Sequence, residues 1–435
     1  MLNHILLSKC NFTLKLHSLP LNQTILINNR IQNQIYNINN SKIEKIFYKD
    51  LFPLTYEYLS KMKKLNFISL TLKDYSKIKK ATEILHQIFL NTTKSVLHSN
   101  EPYIYEKFGI EKSNWEYIKH TFTQKNNDYL YGRMDLGFNF DLTNIKLFEY
   151  NTGLCGDIYD STHFQHNVFN SYAINNKNVN LSDDIKNSFH SGKDLIGNLA
   201  KQFKSISSNC HNKKIYFICT PSKEEELILL SFIEALQKYN MKYKICYYAK
   251  GIKKDYINNC LIDTETNTKI DIVYKTYAWY KIFKEIKSNK NNNNFFNYFL
   301  TSNTKIIEPP WKTVMGNKAL LPYVYQMNKT CPYLIPSSFN PFDKCFGKDK
   351  YIIQKGIFGR GSKMVNIINR NNITKLQKGV IYQKVFTHNK LNNDFYIMGS
   401  WLVGSKFSGC LIKKSNKLIN EYNCNIIPVR VVNKL

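Results

Sequence analysis

The sequence predicts a mixed fold, part α/β and part α+β, and three observations carry that expectation. A short apolar strand at 215–220, a strongly amphipathic helix at 224–239 and strands at 243–249 and 270–275 follow one another through short links. Strand, helix, strand in that order is a βαβ unit, so a parallel-sheet lobe is expected at about 200–300. Residues 351–355, 364–368, 380–386 and 396–412 are strand-rich, with a hairpin turn at Val403-Gly404-Ser405-Lys406, and predict an antiparallel sheet at about 301–435. Segments 129–138 and 145–151 read as a hairpin across Asp141-Leu142-Thr143-Asn144 and complete that second lobe. With 435 residues and 43% hydrophobic content the chain can bury a large core and build two or three lobes.

The remaining elements follow in order. Residues 1–60 are Asn-rich with scattered apolar residues and carry no regular period. From Asp74 to about Leu97, Ile78, Ala81, Ile84, Leu85, Ile88 and Phe89 recur at helical spacing. Further helices are expected at 115–122 and 195–206. Glu224, Glu225 and Glu226 fall in the first turn of the 224–239 helix, where the helix dipole favours negative charge. The Asn-rich run 289–294 is expected to be a solvated loop. Glu308-Pro309-Pro310 stops a strand, and one helix is expected over 311–327. No internal repeat is visible.

The formal charge is +29, which by itself would suit nucleic acid or an anionic membrane. Lysine is spread along the whole chain rather than gathered in a stripe, and the excess of Lys, Asn, Ile, Tyr and Phe has the residue usage of an AT-rich genome. A specific nucleic-acid partner is therefore not expected, although a basic surface favours anionic small ligands. The ten cysteines form no C-x-x-C pair, so neither zinc nor a disulfide framework is indicated and a cytoplasmic location is expected. No apolar run reaches the ~20 residues that cross a bilayer, and no signal peptide is evident.

Chemistry concentrates first in the hairpin. Period two puts Arg133 and Asp135 on one face of their strand, and Glu149 and Asn151 on one face of theirs. If the strands pair, two carboxylates, a carboxamide oxygen and a guanidinium converge. Magnesium takes hard oxygen ligands and keeps phosphate oxygens beside them, and arginine suits phosphate charge. Phosphoryl chemistry on a nucleotide is the first expectation. A second candidate is Lys355-Gly356-Ile357-Phe358-Gly359-Arg360-Gly361-Ser362, between two strands. Gly356, Gly359 and Gly361 would let backbone amides approach a phosphate, with Lys355 and Arg360 adding positive charge. No Gly-Lys-Ser/Thr opens a helix here, so it is not a Walker loop.

Several blocks, in order, resemble the glutathionylspermidine synthase family. They are the Arg133-Met134-Asp135 and Glu149-Tyr150-Asn151 strands, Glu308-Pro309-Pro310-Trp311-Lys312 with Asn317 to Pro322, Tyr351 to Arg360, Tyr382-Gln383, and Gly399-Ser400-Trp401-Leu402-Val403-Gly404. The resemblance runs from about residue 65 to Pro428 and has no counterpart of that family's amidase domain. It implies an ATP-grasp fold with a preATP-grasp lobe, and an enzyme that joins a short-peptide or small carboxylate to an amine through an acyl phosphate made from ATP. Carried over, Asp135, Glu149 and Asn151 would hold magnesium, two ions in all. Lys318 and Lys355 would contact ATP phosphates, with Gly359 in the loop over them, and Gln383 would lie near the adenine. Arg133 and Arg360 would face the transferring phosphate.

The chain departs from the family pattern after Asn151. Small hydroxyl residues there are replaced in Thr152-Gly153-Leu154-Cys155-Gly156-Asp157, where Leu154 and Gly156 offer no side-chain hydrogen bond; Asp157 or Ser161 would compensate. Lys384 stands for an acidic residue and Lys413-Lys414 for an Arg-Glu pair. These changes leave a second reading open, a catalytically altered ATP-binding or scaffold protein. Trp401 and Tyr382 are expected to pack in the core, and His163 and His166 to form a helical surface pair rather than a metal site.

Overall fold

The computed structural model describes residues 65–122, 129–166, 188–288, 295–359, 361–388, 390–391, 393–419 and 424–433, together with the strand Lys15–Leu19; of 65–67 and 223 only the backbone is described. Its centre is a six-stranded antiparallel sheet. Asn425–Ile427, Lys406–Ser415, Asp394–Val403, Tyr131–Phe138 and Ile145–Asn151 lie side by side in that order, and Lys390–Leu391 pairs with Asp394–Val403. The two hairpins are those expected from their turns, and Gly404 supplies the left-handed backbone, φ 55°, that the Val403–Lys406 turn needs.

Alternation along Tyr131–Phe138 sends its residues to two cores. Met134, Leu136 and Phe138 pack with Ile78, Leu85 and Phe89 of the long helix Leu72–Leu97. Tyr131 packs with Trp401, Leu199, Phe203 and Phe232 on the opposite side. Each such side chain contributes roughly 1.5–3 kcal/mol by burial. The long helix begins where the Thr71 hydroxyl accepts from the Asp74 amide at 3.1 Å. Its His86 is buried between the Tyr150 and Tyr129 hydroxyls at 2.8 and 3.2 Å, which ties the helix to the back of the hairpin.

The parallel lobe is a four-stranded sheet in the order Lys305–Ile307, Ile272–Lys275, Ile215–Cys219, Tyr243–Tyr247, every pair parallel. The helices Leu195–Ile206 and Lys223–Gln237 pack beside it, and Ser222 caps the second by accepting from Glu225 N. Between Tyr243–Tyr247 and Ile272–Lys275 the chain inserts an antiparallel sheet of Ile252–Asp255, Cys260–Asp263 and Thr268–Ile270. That insertion was not expected; its strands are only three or four residues long, too short for a period to register.

A four-stranded antiparallel sheet follows, in the order Ser337–Ser338, Val380–Lys384, Tyr351–Gly356, Val365–Asn369. A further sheet joins the ends of the chain: Lys15–Leu19 pairs antiparallel with Leu65–Thr71, which runs parallel to Val429–Val432, itself paired with Phe189–His190. The run 289–294 lies outside the described residues.

One helix expectation is corrected. Residues 311–327 form two helices, Lys312–Met315 and Leu320–Met327. The break falls at Gly316-Asn317, where the Asn317 side chain accepts from Ala319 N at 2.9 Å and donates to Phe108 O at 3.0 Å. Asparagine bonding its own backbone favours a turn over a helix interior. Lys318 comes to lie at that break.

Candidate functional site

Arg133 pairs in register with Asn151, and Asp135 with Glu149. The convergence expected from period two is therefore present. A β-bulge after Asp135 leaves Phe148 without a cross-strand partner. Bulges of this kind re-aim side chains and free backbone groups, and here the Phe148 carbonyl accepts from Lys355 Nζ at 2.9 Å. Lys355 arrives from the neighbouring antiparallel sheet, so the bulge couples the two sheets at the acid pair.

Glu149 is ringed by cations. Lys318 Nζ lies 3.2 Å from its carboxylate, and Asn151 Nδ2 donates to it at 3.3 Å. Burial opposes ionisation of Glu149, but Lys318, Lys355 and the Asn151 amide outweigh it and hold the carboxyl down to about 2. Lys355, 5% exposed, is pulled the other way: burial and the Lys318 charge outweigh Glu149 and lower the ammonium to about 8. Lys318 also donates to Gly359 O at 3.2 Å, and Lys318 N to Ile357 O at 3.4 Å, so the helix break is fastened to the glycine-rich loop.

Arg133 is a clamp. Its Nε and Nη2 reach both oxygens of Asp135, at 2.7 and 3.2 Å, and its Nη1 reaches Gly156 O at 2.8 Å and Asp157 Oδ2 at 2.5 Å. The absence of a side chain at Gly399, across the sheet, leaves room for it: a Cβ there would come within 3.0 Å of Arg133 Cδ.

These residues share one cavity of about 640 Å³. Arg133, Asp135, Glu149, Asn151, Lys355 and Gln383 all line it, whereas Lys318 reaches it through Glu149. One stretch of wall is apolar and aromatic, with Phe148, Ile353, Phe386 and His388. Gln383, 2% exposed, donates to Ser337 Oγ at 3.2 Å beside that stretch. Elsewhere the wall mixes apolar residues such as Leu154, Ile158 and Leu227 with the charged Asp157, Asp160, Glu224 and Lys413. Gly359 sits beside the cavity through Lys318, and Arg360 lies outside the described residues.

Residues 49–432 match the family described as glutathionylspermidine synthase preATP-grasp. The chain belongs to this family. It is 20% identical over 369 residues to the trypanothione synthetase of Crithidia fasciculata, covering 80% of this chain and 54% of that one. It is 23% identical over 379 residues to the bifunctional glutathionylspermidine synthetase/amidase of Escherichia coli, covering 82% and 57%. The chain thus spans a little over half the length of these two relatives. A putative acid–amine ligase of Haemophilus influenzae is 22% identical over 373 residues, 82% of this chain and 88% of that protein. Among solved structures, a glutathione synthetase-like effector from Globodera pallida matches with a TM-score of 0.54 over 84% of this chain and 89% of that one, at 11% identity, a likeness of fold.

Within this family frame, the Glu308-Pro309-Pro310-Trp311-Lys312 block is structural. The buried Glu308 carboxylate accepts from Leu130 N and Tyr131 N at 3.1 Å and from Lys312 Nζ at 2.6 Å; Lys312 also donates to Tyr131 O at 2.7 Å. Trp311 packs edge-on against Tyr129. The block pins the start of the strand that carries Arg133 and Asp135. Breaking one partner of such a buried pair costs about 3–5 kcal/mol.

The departures from the family pattern resolve as follows. Lys384 pairs with Asp349 at 3.0 Å and Lys414 with Asp394 at 2.7 Å. Lys384 and Lys413 both line the cavity, and Lys413 lies 2.5 Å from Asp157 Oδ2. Ser161 does not compensate after Asn151: it is fully buried, donates to Asp157 O and accepts from Trp401 Nε1 at 2.7 Å. Trp401 and Tyr382 are core residues as expected, 0% and 1% exposed. His163 pairs with Glu234 at 3.0 Å and the His166 ring lies against His190. Neither Asp160 nor His388 falls in a motif or period; the closed fold brings them to the cavity.

Proposed function

We propose that this chain is an ATP- and magnesium-dependent carboxylate–amine ligase of ATP-grasp type that activates its acid as an acyl phosphate. The observation that carries the reading is the meeting, in one cavity, of the Asp135–Glu149–Asn151 face of one sheet with Lys355 and Gln383 of the other. The relatives named as synthetases and ligases support it.

The donor set fits magnesium. Asp135 and Glu149 offer hard carboxylate oxygens, and Asn151 spends its amide nitrogen on Glu149, leaving its oxygen for a cation. Held by Asp135, Glu149 and Asn151, magnesium would supply positive charge against the phosphate of the transferring group. Lys355 and Lys318 would offset the remaining phosphate charge. Phosphoryl transfer asks for positioning and charge neutralisation rather than covalent help from the protein, and the site supplies those. The apolar stretch at Phe148, Ile353 and Phe386 suits a purine, with the Gln383 amide at its edge. The acid substrate would lie toward Arg133 and Lys413, with the amine beside Asp160 and Glu224. Glutathione with spermidine is the first pair to try.

The test is ADP release from ATP with magnesium, acid and amine supplied together. Asp135→Ala and Glu149→Ala should each lower the rate at least a hundredfold while the protein stays folded. A folded native chain that releases no ADP with any pair of short-peptide acid and di- or polyamine would favour the non-catalytic ATP-binding reading.

A further inference from the structure

Two cations in the cavity converge on a carboxylate that belongs to the protein. Asp157 Oδ2 lies 2.5 Å from Arg133 Nη1 and 2.5 Å from Lys413 Nζ. All three side chains line the cavity, and the cations are nearly buried, with side-chain exposures of 8% and 13%. Charge-assisted bonds from a guanidinium and an ammonium to one oxygen are the recognition elements of an anion seat. Here a residue of the chain occupies it.

We propose that Asp157 is an intramolecular stand-in for the acid substrate, holding the Arg133–Lys413 seat until a substrate carboxylate or phosphate oxyanion displaces it, so that Asp157 determines which acids are accepted. The identity of the displacing ligand rests on the function proposed above; the seat and its occupant do not.

Charge balance favours exchange over addition. Arg133 and Lys413 are matched by Asp135 and Asp157. A further anion entering beside Asp157 would place three negative groups on two cations. Asp160 already registers that crowding: burial first, and then the Asp157 charge, push its carboxyl up to about 7. Exchange keeps the balance. It also asks little of the backbone. Asp157 has φ 68°, a left-handed conformation that aspartate tolerates better than most residues. Its carbonyl is held by Ser161 N at 3.0 Å and Ser161 Oγ at 2.8 Å, and the preceding Gly156 carbonyl by Arg133. The peptide frame is pinned, so release proceeds through rotation of the Asp157 side chain rather than movement of its backbone. The alternative is that Asp157 is a permanent partner that positions Arg133.

The two readings predict opposite responses to removing the carboxylate. The probe is inorganic phosphate, titrated into the full chain by calorimetry without nucleotide and with a chelator present. If Asp157 is a stand-in, Asp157→Asn binds phosphate at least tenfold more tightly than the native chain, and adding Lys413→Met abolishes the gain. An affinity equal to or below the native value overturns the proposal, as does a gain that survives Lys413→Met. Asp157→Ser serves as the second variant; loss of the fold in both would also overturn it, because an exchangeable occupant must leave a standing fold. ATP and amine take no part in this titration, so its failure is distinct from failure of the ligase reading.

Discussion

Lys355 and Glu149 show how one contact shell moves two groups in opposite senses. Burial penalises both charges, yet Glu149 meets two ammonium groups and stays ionised, whereas for Lys355 burial and the competing Lys318 ammonium outweigh Glu149 and Asp135 and lower it to about 8. A lysine must be protonated to hold phosphate. ATP affinity of the native chain should therefore fall as pH rises from 7 through about 8 to 9, and Lys355→Arg, whose guanidinium does not titrate there, should flatten that limb. Equilibrium titration with ATP across that range reads it directly; an identical pH profile in the variant would remove Lys355 from the phosphate site. At this scale the sequence exposed Arg133, Asp135, Glu149 and Asn151, because strand alternation is a local rule. It did not expose the Phe148 bulge, the Asp157–Lys413 contact or His388, each of which depends on residues far apart in the chain.

Elements place these residues, and the break between Lys312–Met315 and Leu320–Met327 is the most consequential. One helix was expected over 311–327, after the Glu308-Pro309-Pro310 stop. The interruption comes from Asn317 bonding its own backbone and from a close approach at Gly316, where a Cβ would stand 2.4 Å from Thr152 Oγ1. Thr152 follows Asn151 and donates to Lys312 O at 3.1 Å. Gly316→Ala should cost roughly 1–3 kcal/mol in a denaturant melt and should also reduce ADP release, because the displaced Thr152 carries Asn151 with it. A variant as stable and as active as the native chain would separate the break from the site. The βαβ lobe and both hairpins were legible because their periods and turn residues are strong. The three-stranded insertion was not, because its strands are too short to carry a period.

For the whole molecule, the sheets form an electrostatic container whose stability depends on pH through buried neutral histidines. Burial lowers His388 to about 4 and, with help from Lys312, His86 to about 3. Between those values and 6.5 the unfolded chain binds protons that the folded chain refuses. Their contribution to stability is thus complete above pH 6.5 and is lost as pH falls, each by about 1.4 kcal/mol at pH 5.5. Asp160, pushed up to about 7, acts in the opposite direction over the same window. The informative quantity is therefore the difference between chains: His388→Leu should lose about 1.4 kcal/mol less stability than the native chain between pH 7.5 and 5.5, read by denaturant melts. Equal losses would mean that His388 is protonated in the folded state.

The central claim is that the cavity transfers a phosphoryl group to a carboxylate. Isotope transfer tests it most directly. With ATP, magnesium and spermidine supplied to the chain, glutathione carrying oxygen-18 in its glycine carboxylate, or the acid found to support ADP release, should deliver one labelled oxygen to inorganic phosphate for each amide formed. Amide formation with unlabelled phosphate would contradict the account.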